Sequence, residues 1–153
     1  MTTTPATSPA PVVPDSASRE LKVVLVVRAG LPANQAVNAA TVLGASVGTL
    51  LGLPLGPDAV DATGTRYRGI VTTPVPILTA DHTELTRLYR LAGEREQLTS
   101  LCLTETARRA RTYEAYLADL AATAEADSDI VGVLFAGPRN QVTKLTKRLP
   151  LLS

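Results

Sequence analysis

The sequence predicts an α/β domain in which helices cover a mostly parallel sheet. Three observations carry that expectation. Leu21–Val27 is apolar but for Lys22 and holds four valines, the pattern of a strand buried on both faces. Further apolar runs then alternate with segments whose apolar residues recur at spacings of three and four. Finally, Gly137-Pro138 halts the last apolar run just before a short amphipathic segment.

Each element has a local reason. Residues 1–19 are rich in Thr, Pro, Ala and Ser, with Pro5, Pro9, Pro11 and Pro14. Such a segment buries too little apolar area to offset its ordering entropy, so a disordered tail is expected, with one domain over 20–153. Pro32 suits the first turn of a helix, where a missing N–H costs little. Ala36, Ala40, Leu43, Val47 and Leu50 form its predicted inner stripe. The small residues Gly44, Ala45, Ser46 and Gly48 suggest close packing on the first strand. Residues 52–69 are rich in glycine and proline and predict a long excursion, with a short strand near Tyr67–Val71. Val75–Leu78 reads as a strand whose Pro76 favours an edge.

Asp81 and Glu84 have capping-box spacing, followed by Leu85, Leu88, Tyr89 and Ala92 on one helix face. Leu98–Leu103 is the next predicted strand. Thr104 then caps a single helix whose inner face holds Ala110, Tyr113, Leu117, Leu120 and Ala121. Ile130–Ala136 predicts the last strand, and residues 139–147 the last helix, with Val142 and Leu145 inward.

Composition narrows function. A net charge of +1 gives no general attraction for duplex nucleic acid or an anionic membrane. With 4 Tyr, 1 Phe and no Trp, a base-stacking platform is disfavoured. Cys102 is the only cysteine and lies in an apolar run, so a buried, inert thiol is expected. His82 is the only histidine and stands in a helix N-terminus, where the helix dipole opposes its charged form. No zinc-ligand spacing, phosphate loop or Gly-x-Ser-x-Gly turn occurs, and no metal or cofactor is expected. No segment reads as a signal peptide or membrane span, so a cytoplasmic location is expected.

Open α/β sheets place ligands at strand ends, which directs attention to two polar clusters. Asn34, Asn38 and Thr41 are spaced four and three apart after the first strand and share a polar helix face. Thr104, Glu105 and Thr106 follow the Cys102 strand. The clusters would converge if those two strands were neighbours. Asn34 and Thr104 also suit plain helix capping. Arg108, Arg109 and Arg111 form one basic run, and Lys144, Lys147 and Arg148 another. Each run suits a solvated face. If both flanked one cleft, it would suit a phosphate or other acidic group.

Several of these segments resemble a known family. They are Lys22-Val-Val-Leu-Val-Val-Arg28, Asn38-Ala-Ala40, Pro74-Val-Pro-Ile77, Tyr113-x-x-Tyr116 and Gly137-Pro followed by Lys144-x-Thr146-x-x-Leu-Pro-Leu-Leu152. Over residues 20–152 the chain resembles the bacterial domain of unknown function two thousand. That family is similar to type-two peptidyl-tRNA hydrolases. The resemblance implies a three-layer α/β/α fold with a mixed sheet of four to five strands, commonly a homodimer. Lys22, Arg28, Lys144 and Thr146 match the hydrolase pattern. The two lysines of the hydrolases' first helix fall on Gln35 and Val37, its glutamine on Thr41 and its histidine on Gly44. The hydrolase segment after the third strand keeps an acid at Glu105 and an arginine at Arg108.

Two functions from different classes follow. One is a non-catalytic or divergent binding module that keeps the old cleft for a small molecule or peptide. The other is a divergent hydrolase of an acyl ester or amide, such as peptidyl- or aminoacyl-tRNA. In the hydrolase, Glu105 would be the acid or base and Lys22 an electrostatic stabiliser. Asn38 and Thr41 would position substrate, and Arg108 and Arg111 would hold a phosphate. Arg28, Asn34, Thr104, Lys144 and Thr146 complete the candidate ligand set. A homodimer is expected through the small-residue helix or the Gly-Pro end of the sheet. Tyr113 and Tyr116 are expected on different sides of their helix, with one ring available to an interface.

Overall fold

A computed structural model describes residues 20–153. The expected disordered tail, 1–19, lies outside the described residues. The central strand pair is β1 (Leu21–Arg28) and β6 (Ile130–Pro138), antiparallel from Leu21 opposite Pro138 to Val27 opposite Gly132. Strand β4 (Ile77–Ala80) lies parallel to β1 on its other side, and β5 (Thr99–Thr104) runs antiparallel to β6. The sheet order is β4-β1-β6-β5. Three strands therefore point the same way, but β6 is reversed and inserted between two of them. Two of the three ladders are antiparallel, so the sheet is mixed, and "mostly parallel" holds only for strand direction. Apolar runs announce burial on both faces. They carry no information about which neighbour reverses.

Alternation along β1 divides the core. Val23, Leu25 and Val27 pack with Ala36, Ala39, Leu43 and Val47 of α1 (Ala33–Leu51). Val24 and Val26 face the opposite side. There they meet Leu85, Leu88 and Ala92 of α2 (His82–Gly93) and Val142 and Leu145 of α5 (Arg139–Thr146). A register shift at Leu103/Thr104 opposite Ile130 lets Ile130 and Val131 face opposite sides from the alternation that follows. Asp81 caps α2, accepting from the Glu84 amide at 2.8 Å, as its spacing predicts.

Three helix readings change. Ala39 replaces Ala40 on the buried stripe of α1, while Leu50 is exposed. Gly44 and Gly48 have open space where a Cβ would stand, so they do not mediate packing on the sheet. The small residue beneath α1 is Gly132 of β6, whose Cβ position lies 3.4 Å from the Leu43 side chain. The helix expected from Thr104 to Ala121 is two helices, α3 (Glu105–Arg109) and α4 (Tyr113–Ala121). Ala110 is extended, and Thr112 begins a new cap by accepting from the Ala115 amide at 3.1 Å.

Between α1 and β4 the chain projects as an arm. Its hairpin joins β2 (Ala59–Val60) to β3 (Arg66–Tyr67), with Leu55 bridging Val71. The expected strand there is shorter and starts one residue earlier. At the other end of the chain, Thr79 donates to Pro150 and Leu152 to Ile77, each at 2.9 Å. The C-terminal segment thus covers the outer edge of β4. The outer edge of β5 takes no strand partner among the described residues.

Candidate functional site

The open edge of β5 forms the floor of a groove of about 500 Å³ between α1 and the α3–α4 corner. Its apolar surface comes from Val42 and Leu43 of α1, Leu101 and Leu103 of β5, and Ala107 of α3. Polar groups stand at the rim: Asn38 and Ser46 on one wall, Arg108 and Arg111 on the other. Tyr113 and Tyr116 close one end, their rings edge to face with centroids 5.3 Å apart. The two tyrosines therefore meet, three residues apart, rather than lying on different sides. An apolar trough with few polar groups at its margin is the usual form of a small-molecule or peptide site.

Arg108 joins this groove to an ionic cluster. Its Nε donates to Glu105 Oε1 at 2.8 Å, and its Nη2 contacts the same oxygen. Arg109 Nε adds a third contact at 3.2 Å. The Arg108 hydrogen bond is the main cause that holds the Glu105 carboxyl below its ordinary range, against the effect of its partial burial. An ionised carboxylate occupied by two guanidiniums is a poor proton carrier at neutral pH. Its Oε2 is buried and has no hydrogen-bond partner among the described residues. The Glu105 amide donates to Asp129 O at 2.8 Å, and Thr104 Oγ1 accepts from Ala107 N at 3.2 Å. Glu105 does not line the groove.

The other candidate residues separate into two groups. β1 and β5 are not neighbours, since β6 lies between them. Even so, α1 and the α3–α4 corner bring Asn38, Arg108 and Arg111 to one groove. Arg28 lies at the same end of the sheet as Thr104 and Glu105, with Nη1 3.4 Å from Ile130 O. Asn34 is exposed in the first turn of α1. Thr41 is exposed and bonds back to Val37 O at 2.9 Å. At the opposite end, Lys22 Nζ donates to Thr143 Oγ1 at 3.0 Å. Thr146 is buried and bonds back to Val142 O at 2.8 Å, while Lys144 is exposed.

Register sets the separation. Lys22 stands opposite Gly137, and Thr104 opposite Ile130. Seven residue steps along β6 separate these two positions, about 23 Å at roughly 3.3 Å per residue. Lys22 and Glu105 therefore do not meet around one reacting atom.

Sequence reasoning did not single out Val42, Ser46 or Thr112 as site residues. Thr112 could have been found from its position three residues before Ala115, in front of an apolar helix. The two α1 residues become site residues only through the folded position of β5. Cys102 is half-buried, and burial pushes its thiol up to about 12, in keeping with an inert sulfur. His82 Nε2 lies 4.0 Å from Asp129 Oδ1, at the surface. Among the described residues no group of three or more His, Cys, Asp or Glu could hold a metal ion. No described helix is long and apolar enough to cross a membrane.

Comparison with known proteins agrees with this architecture. A solved structure of a protein of unknown function from Agrobacterium tumefaciens strain C58 superposes with a TM-score of 0.77. It is 20% identical and covers 88% of this chain and 98% of its own. At that identity the likeness shows the fold alone. No curated protein matches the sequence. The family model described as "Protein of unknown function (DUF2000)" matches residues 21–153, from the first residue of β1 to the end of the chain. The chain belongs to the DUF2000 family.

Proposed function

We propose that this protein is a non-catalytic binding module whose ligand lies in the groove beside β5. The ligand is a small molecule or short peptide with an apolar body and an acidic group. The observation that carries this reading is the apolar β5 floor with Arg108, Arg111 and Asn38 at its rim. Apolar contact supplies the affinity, and the guanidiniums fix where a carboxylate lies. The distance between Lys22 and Glu105, and the neutralisation of Glu105 by arginines, support binding over hydrolysis. The same reading takes α1 on one face and α2 with α5 on the other as the outer layers of an α/β/α fold of the peptidyl-tRNA hydrolase II type. It also takes the working unit as a cytoplasmic homodimer.

A thermal-shift panel of aromatic carboxylates and short acidic peptides tests the proposal. A ligand at 100 times its Kd adds about 2.7 kcal/mol of stability, a readable shift. Ser46→Trp, which fills the groove, and Arg111→Ala should each abolish that shift. A flat panel, or hits that survive both substitutions, contradicts the groove as the site.

One observation favours a second reading, a divergent acyl hydrolase acting on peptidyl- or aminoacyl-tRNA. The Oε2 of Glu105, buried and without a hydrogen-bond partner among the described residues, is a carboxylate acceptor that no structural contact uses. Release of peptide from peptidyl-tRNA by the purified protein, abolished in Glu105→Gln, would establish this reading. Turnover at background removes it.

A further inference from the structure

We propose that the end of the sheet where β1 begins holds a separate site for a small, multiply charged anion of the phosphomonoester or diphosphate class. A cavity of about 800 Å³ opens there against α5. Its size falls within the usual range for small-molecule sites. Asn140, Lys144 and Lys147 line it and recur at four and three, so one helix face presents all of them. Lys144 and Lys147 are exposed and make no ion pair with any described residue. They are three residues apart, and like charges at that spacing repel. A bound anion would relieve the repulsion.

Thr143 deepens the argument. Its hydroxyl oxygen accepts from Lys22 Nζ at 3.0 Å, which ties β1 to α5. A hydroxyl that accepts one bond still has its own proton to donate. The cavity thus offers two ammonium groups, an amide side chain and a hydroxyl donor. Among the described residues Glu20 is the one acidic residue lining it. Among the described residues no aromatic side chain lines it, which favours a compact anion over a single strand that needs stacking. This end of the sheet is remote from the groove, so the fate of either site leaves the other untouched.

Titration of the isotope-labelled full chain with pyrophosphate, followed by amide NMR, tests the site. The expected result is saturable shifts confined to residues 139–147 and the start of β1. Binding should weaken at least tenfold in Lys144→Ala/Lys147→Ala. Both lysines are exposed, so the variant should keep the dispersed spectrum of the folded chain. A tricarboxylate such as citrate should bind several-fold more weakly than pyrophosphate. No shift at millimolar pyrophosphate, shifts scattered over other basic surfaces, or unchanged binding in the double variant overturns the proposal. Tighter binding of a short single-stranded RNA at the same residues overturns it in favour of a nucleic-acid site.

Discussion

Asp61 shows how one side chain can organise an exposed loop. Its Oδ1 accepts from the Thr63 hydroxyl at 2.8 Å and from the Thr63 and Thr65 amides at 2.9 and 3.0 Å. Tyr67 OH donates to Oδ2 at 3.0 Å. These bonds favour the ionised form, the Thr63 hydroxyl most of all, and lower the carboxyl to about 2. A depressed pKa gives a contribution that is complete above the ordinary carboxylate range and disappears as pH falls through the lowered value. The Thr63 and Thr65 amide resonances should therefore titrate with a midpoint near 2. A midpoint near 4 would mean that these bonds do not persist in solution. Gly44 and Gly48 are the other informative residues. Both sit inside α1 with open space at the Cβ position. Alanine at either should stabilise the protein by roughly 0.5–1 kcal/mol in chemical denaturation, since glycine weakens a helix interior. A loss of stability would show that the bare backbone is covered by another surface, as a dimer through this helix would require.

At the scale of elements, the sequence was most legible where a side chain acts on its own neighbours. Asp81 caps α2, and Pro32 precedes α1, because capping and proline geometry are local. The apolar spacing continues through the α3–α4 break and so does not announce it, while Ala110 leaves helical geometry and Thr112 caps a new helix. Thr112→Ala should cost about 1 kcal/mol, the typical worth of an N-cap, and should loosen the groove wall that carries Tyr113 and Tyr116. Hydrogen exchange across 113–121 would report it as faster opening of α4 alone. Unchanged exchange would mean that packing rather than the cap sets this boundary. The groove itself was only half legible. Asn38, Arg108 and Arg111 stood out as polar or basic residues near strand ends. That they share one wall-to-wall space depends on α1 crossing to β5, a long-range fact with no local sign. The separation of Lys22 from Glu105 is likewise long-range, because strand register places them at opposite ends of β6.

The whole molecule is a mixed sheet with its apolar mass on both faces and two polar ends. Phe135, fully buried on the α2–α5 side, is the largest side chain of that core. Phe135→Ala should cost about 3–5 kcal/mol, measured by denaturant unfolding. A smaller loss would indicate that α2 and α5 collapse into the space. The central claim is that the groove beside β5 binds a ligand without transforming it. Amide NMR mapping of the fragments that stabilise the protein tests it most directly. The account predicts shifts centred on Asn38, Ser46, Arg108, Arg111 and Tyr116, with the ligand recovered chemically unchanged. Shifts centred on any other surface, or a ligand returned as hydrolysis products that Glu105→Gln fails to yield, would contradict it.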